Sequence, residues 1–203
     1  NPKGIIDFKD LARDGIELVH ADPLTSGGAC WSVFSVYGSE LRRSEVHEGF
    51  KNTTAAEELL EGIMHNVISW QSSARKALSQ FTLGYGDALI TYENDALLAL
   101  EKGEPVEIIY PSSTIYSEHK AVMVDENINE KERELVEAFI EYLQGDETQK
   151  AFVECNFRSV RENLNELNPD LHEVQDPFTV DYLGGWEVAK IELIDGLFQD
   201  LKG

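Results

Sequence analysis

Two rhythms of apolar positions run along the chain. Residues 16–21 (Ile-Glu-Leu-Val-His-Ala) sit between Gly15 and Asp22-Pro23, the pattern and punctuation of a short strand. Over 29–41 the spacing lengthens, and Trp31, Val33, Phe34 and Tyr37 supply one apolar face of a helix. Thr54-Ala55-Ala56-Glu57 has the form of a capping box and predicts a second helix through Met64. A strand over 67–70, a short helix over 74–81, a buried strand over 87–91 and a helix over 94–100 follow. Further strands are predicted over 106–110, ended by Pro111, and over 121–124. Residues 129–156 are strongly helical, with Leu135, Phe139 and Tyr142-Leu143 on one face and a break at Gly145-Asp146. A last helix over 186–201 carries Ile191, Leu193-Ile194 and Leu197-Phe198.

Strands alternating with helices at this spacing define an α/β fold with largely parallel sheets. In such folds ligands lie in the loops that leave the carboxyl ends of the strands. The 203 residues, 42% of them hydrophobic, suffice for one large domain or two small ones with real cores. No run approaches the roughly 20 consecutive apolar residues that span a bilayer. The chain opens Asn1-Pro2-Lys3-Gly4, with neither an initiator Met nor a secretory leader. A mature, trimmed or truncated product is expected, and the missing leader does not argue for a cytoplasmic home.

Charge removes one class of partner. Lys and Arg number 17 against 38 Asp and Glu, a formal charge of −21, so no nucleic-acid partner is expected. An anionic ligand is not excluded, because exposed charge is screened over about 8 Å at physiological salt. The acidic runs at Glu57-Glu58 and 130–134 fall in helices and read as solvated faces. Cys30 and Cys155 have no CxxC spacing, and the five histidines form no HxxxH or HExxH pair. Neither a metal nor another cofactor is expected. A Cys30–His20 nucleophilic dyad lacks a visible orienting partner, and an enzyme is not the expected reading.

The segment Asp22-Pro23-Leu24-Thr25-Ser26-Gly27-Gly28-Ala29-Cys30-Trp31 links a strand to a helix. Unpaired N–H groups and the positive end of the helix dipole meet at such a place. Gly27 and Gly28 remove the side chains that would keep an anion from the backbone; Ser26, and with it Thr25, adds hydroxyl donors. The turn is either an anion cradle needing no cationic side chain or a Gly-rich helix cap. It has neither the GxxxxGK[ST] nor the GxGxxG pattern, which disfavours nucleotides.

Asn-Pro-Lys-Gly-Ile at 1–5, Asp10-Leu11-Ala12-Arg13, and Pro23-x-Thr25-Ser26-Gly27-Gly28-Ala29-x-Trp31 together resemble the sulfate-binding periplasmic family. Ser72-x-Ala74-Arg75, Gly86-Asp87-Ala88-Leu89-Ile90 and Glu93-Asn94-Asp95-Ala96-Leu97-Leu98 continue the resemblance, as do Phe157-Arg158 and Gly184-Gly185-Trp186. The resemblance runs over essentially the whole chain in the same order. It implies a type II periplasmic-binding-protein-like fold whose two lobes close on a dehydrated inorganic oxyanion, which is passed to the membrane permease of an ABC importer. The implied ligand contacts are Ser26, Gly27 and Gly28, the backbone N–H of Ala74, and a side-chain donor at Tyr92, where the family usually carries Trp. Residues 5–112 would be the second lobe. Residues 113–203 would be the returning part of the first lobe plus the C-terminal helix. The implied place is periplasmic or extracytoplasmic, with anchoring through a preceding segment left open.

Four positions depart from the family pattern. Tyr92 can accept as well as donate a hydrogen bond. Cys30 replaces a usual Arg, and Ser73 and Lys76 stand where Gly is preferred. Family members also begin with first-lobe elements ahead of a segment like residues 1–4, and a chain without them is expected to bind sulfate weakly or undetectably. Sulfate or thiosulfate is the first ligand expected, with molybdate, tungstate and phosphate behind. Asp22 and Glu93 are candidate acceptors for a protonated anion. The effector-binding domain of a cytoplasmic transcription regulator is the alternative of a different class.

Overall fold

The computed structural model describes residues 1–202, which cluster into two compact units. One unit comprises residues 1–117 and 174–202, the other residues 118–173.

The larger unit is built around a parallel sheet of β1 (Leu18–Ala21), β2 (Val67–Gln71) and β3 (Ala88–Leu89), in the order β2-β1-β3. All four residues of β1 are buried, which is why this strand reads as almost continuously apolar. Alternation along β1 sends Leu18 into a large cluster with Val33, Phe34, Leu60, Ile63 and Phe198, and sends Val19 and Ala21 into a smaller one with Ala29 and Ala77. The crossover from β1 to β2 runs through α2 (Gly27–Glu48) and α3 (Thr53–His65), and that from β2 to β3 through α4 (Ala74–Thr82). After β3 comes α5 (Glu93–Glu101); a short α1 (Phe8–Leu11), capped by Asp7, precedes β1.

Helix α2 starts earlier and ends later than the apolar period indicates. Its polar residues Ser32, Ser35, Ser39, Glu40 and Ser44 are buried beside Val33, Phe34, Val36, Tyr37 and Leu41, so burial extends around most of its circumference. A second parallel pair, β4 (Ser113–Ile115) with β5 (Asp176–Phe178), packs on it. A Cβ at Gly38 would lie 2.4 Å from the Phe178 ring, so only glycine lets β5 approach α2. Arg42 grips Asp176 through two hydrogen bonds, one of them 2.6 Å from Nε.

Several expectations are corrected. Residues 106–110 form no ladder: the strand there is β4, beyond Pro111, because a strand needs a neighbour as well as an apolar run. Residues 121–124 are irregular, with Val122 and Val124 exposed, and lead into a 3-10 turn at Asp125–Asn127. Helix α3 is capped by Asn52, whose Oδ1 accepts the Ala55 N–H at 3.1 Å, and not by a box opening at Thr54. The last helix is continuous from Trp186, but its middle, Lys190–Phe198, is a π-helix between α9 (Trp186–Ala189) and α10 (Gln199–Lys202). The i→i+5 turn is wide enough to put Ala189, Leu193, Ile194 and Phe198 all into the core.

The smaller unit contains α6 (Glu130–Leu143), α7 (Asp146–Glu154) and α8 (Glu162–Asn165). The predicted break falls at Gln144-Gly145, and Asn129 with Glu132 forms a reciprocal capping box on α6. Among the described residues no helix is long and apolar enough to cross a membrane.

Candidate functional site

The carboxyl end of β1 runs straight into Asp22, which organises the turn that follows. Its N–H donates to the Gln71 carbonyl at 2.7 Å, tying the turn to β2. Its own carbonyl accepts the N–H groups of Thr25 at 3.0 Å and Ser26 at 2.9 Å, while Oδ1 accepts the Leu24 N–H at 2.9 Å. Ser26 is then the extended N-cap of α2, and its carbonyl takes the N–H groups of Ala29 and Cys30. Gly27 and Gly28 donate to no partner among the described residues. Ser26 is buried, yet its hydroxyl does not cap the helix, the usual role of a serine here.

A second turn lies alongside. Ser73 caps α4, its hydroxyl accepting the Lys76 N–H at 3.3 Å. Its carbonyl takes the Ala77 N–H, and the N–H of Ala74 donates to no partner among the described residues. Thr25 Oγ1 lies 3.3 Å from both the Asp22 and the Ser72 carbonyl oxygens, so its one proton serves to hold the two turns together.

The third component is Tyr92, the N-cap of α5. A Cβ built on Gly28 would lie 3.0 Å from Tyr92 Cε2 and 3.3 Å from the Ala74 Cβ, so Gly28, Ala74 and Tyr92 meet at one point. A Cβ on Gly27 would meet no atom within 4 Å. The first turns of three helices thus adjoin, and uncommitted N–H groups on two of them add to the positive ends of their dipoles. Burial pushes the Tyr92 phenol above its ordinary pKa against the opposing effect of the Ser117 hydroxyl, so the phenol stays protonated.

Of the six residues singled out from the sequence, Gly28 lies against both Ala74 and Tyr92, Ser26 and Gly27 adjoin it in the chain, and Thr25 links the turns from outside. Sequence reading missed what supports them. The Asp22 carboxylate is engaged by Leu24 and by Lys202 Nζ, 2.5 Å away, so it does not stand as an open acceptor for a protonated anion. The Asp-Pro start of the turn carried a signal for Asp22; nothing local signalled Lys202.

Nucleophile chemistry finds no assembly. Cys30 donates its thiol to the Pro23 carbonyl, and burial pushes its pKa up, away from a reactive thiolate. His20 is fully buried; its Nδ1–H donates to the Ala21 carbonyl at 2.6 Å, and burial pushes its pKa down to about 4. Among the described residues no group of three or more His, Cys, Asp or Glu is placed to hold a metal ion.

Two parallel sheets, with a glycine turn and two further helix starts beside the first of them, define an α/β framework. Residues 1–158 match the family of bacterial extracellular solute-binding proteins, and the chain belongs to that family. It is 34% identical to a sulfate-binding protein of Synechococcus elongatus over 195 residues, covering 95% of this chain and 53% of that protein. A thiosulfate-binding protein of Pseudomonas aeruginosa is 31% identical over 202 residues, with 97% of this chain and 59% of that protein covered. Among solved structures, the sulfate-binding protein SubI from Mycobacterium tuberculosis matches 96% of this chain and 65% of its own, with a TM-score of 0.81 and 29% identity. An ABC transporter chain from Clostridium perfringens shares the fold at a TM-score of 0.61 and 18% identity. The architecture is the type II periplasmic-binding-protein fold. The chain spans about half the length of the curated relatives it matches. The match does not favour the transcription-regulator alternative.

Proposed function

We propose that this chain is the anion-capturing part of an extracytoplasmic solute-binding protein serving an ABC importer, with sulfate or thiosulfate as its ligand and no catalytic activity. The observation that carries this reading is the meeting of Gly28, Ala74 and Tyr92, with the N–H groups of Gly27, Gly28 and Ala74 all uncommitted. Gly27 is exposed and Gly28 and Ala74 are half-buried, so these N–H groups, without internal partners as at any helix start, are open to an incoming anion, and a fully ionised tetrahedral oxyanion needs donors only. Each hydrogen bond to a charged acceptor contributes about 1.5–3 kcal/mol, so N–H groups supplemented by the Ser26 and Tyr92 hydroxyls offset much of the dehydration of a dianion. The names of the relatives point to the same ligand class.

In this reading residues 5–112 belong to the second lobe, and residues 113–203 to the returning part of the first plus the C-terminal helix. The remaining donors come from the first lobe, which the relatives' additional length would supply. The permease is the partner that receives the anion, and the protein works in the periplasm or outside the membrane, where a preceding segment would provide any anchor. Molybdate, tungstate and phosphate rank behind sulfate; engagement of Asp22 by Lys202 removes one acceptor that a protonated phosphate would need.

Amide NMR under titration with sodium sulfate tests the assignment, since it registers weak binding. The expected result is saturable shifts concentrated at Gly27, Gly28 and Ala74, largest for sulfate or thiosulfate and smaller for phosphate at equal ionic strength. Shifts spread evenly over the surface, or equal displacement by phosphate, would refute it.

A further inference from the structure

The last turn of the C-terminal helix reaches the first anion turn through Lys202. Lys202 Nζ lies 2.5 Å from Asp22 Oδ2, across 180 residues of sequence. The same ammonium is 5.3 Å from the centre of the Trp70 ring and 5.8 Å from that of Phe198, two rings packed edge to face at 5.5 Å. Two aromatic faces and one carboxylate therefore hold the lysine in place.

Every polar atom of Asp22 is committed to the turn: N–H to Gln71, carbonyl to Thr25 and Ser26, Oδ1 to Leu24, Oδ2 to Lys202. That makes Asp22 the frame on which Gly27 and Gly28 are presented. It also puts a negative charge in the same turn as the N–H groups that would receive an anion. Without a counter-charge, this carboxylate would repel the ligand its backbone is arranged to hold. We propose that Lys202 is a positioning residue that neutralises Asp22 and so sets the affinity of the Gly27–Gly28 turn for an oxyanion. The affinity part rests on the oxyanion reading above; the clamp on the turn does not.

Four proteins test both parts: the unaltered chain, Lys202→Met, Lys202→Arg, and Lys202→Met combined with Asp22→Asn. Without any anion, hydrogen exchange of the Thr25 and Ser26 amides should quicken in Lys202→Met and return toward the original rate in Lys202→Arg. With sulfate, Lys202→Met should bind about threefold more weakly at low salt, the scale of a part-exposed ion pair, and the deficit should shrink as salt is added. Asp22→Asn should restore binding in the Lys202→Met background, because Asn keeps the acceptor for Leu24 without the charge. A role confined to general stability would give neither the salt dependence nor the rescue. Wild-type affinity in Lys202→Met, or no rescue by Asp22→Asn with unfolding midpoints unchanged, overturns the electrostatic role; unchanged exchange overturns the clamp. If none of the four proteins shows sulfate-dependent amide shifts at Gly27, Gly28 and Ala74 even at high sulfate, where weak binding still registers, the oxyanion reading fails, and the affinity part with it, while the exchange rates still decide the clamp.

Discussion

The two units answer the same physical demand in opposite ways. The larger one has a closed apolar core: β1 is buried throughout, and Phe34, Leu60, Ile63 and Phe198 are at most 1% exposed. In the smaller one α6 has no buried residue, although its sequence is clearly amphipathic. Leu135, Phe139 and Tyr142, spaced to share one face of that helix, are 72%, 57% and 54% exposed. A polar knot stands in for a core. Gln149 Nε2 donates to the Leu143 carbonyl, while its Oε1 accepts from the Ser159 hydroxyl at 2.7 Å and the Val160 N–H at 3.1 Å. Periodicity therefore tells which side of a helix is apolar, and not whether anything lies against it. A contiguous exposed stripe of this kind marks a surface that packing has left unfinished.

This contrast is open to measurement. All three tryptophans, Trp31, Trp70 and Trp186, belong to the larger unit, so their fluorescence reports its unfolding selectively. Phe34→Ala should lower the denaturation free energy read this way by about 4 kcal/mol, whereas Phe139→Ala should change stability by less than about 0.5 kcal/mol. Equal effects would erase the distinction between the units.

Acid should act on the larger unit through His20. Burial disfavours the charged ring, so the folded protein resists protonation until about pH 4, whereas the unfolded chain takes up the proton near 6.5. The stabilisation is complete above that higher value and is lost as pH falls through the window, amounting to about 3 kcal/mol. Stability measured against pH should show this slope, and a folded His20→Gln variant should lack it.

A smaller effect is expected in the other unit. Gln149→Leu leaves the Ser159 hydroxyl and the Val160 N–H without their acceptor, at a cost of about 2 kcal/mol. Exchange of the α7 amides should accelerate while tryptophan fluorescence stays unchanged; a parallel loss in both readouts would mean that the units unfold as one.

What the sequence disclosed follows the range of the interactions. Elements whose cause lies within a few residues were legible: β1 between its glycine and Asp-Pro, the break at Gly145, and the glycine turn opening α2. The pair of β4 with β5 was not, because its three-residue strands join Ser113 to Asp176 and one of them contains Pro177. Residues 106–110 look more like a strand than either, yet they join neither sheet. The site divides in the same manner. Gly27, Gly28 and Ala74 declared themselves by turn chemistry, whereas the Lys202 contact with Asp22 depends on where the chain's far end returns.

The short β4–β5 pair has a consequence for modularity. The chain leaves the larger unit just after β4 and re-enters just before β5. Because the pairing is parallel with Ser113 opposite Asp176, the end of one strand and the start of the other lie within about 10 Å. Residues 118–173 therefore form a cassette between neighbouring points of a common scaffold, and closing so small a gap carries little entropic penalty. A lineage could lengthen, trade or trim that insert without redrawing the framework that presents Gly28, Ala74 and Tyr92.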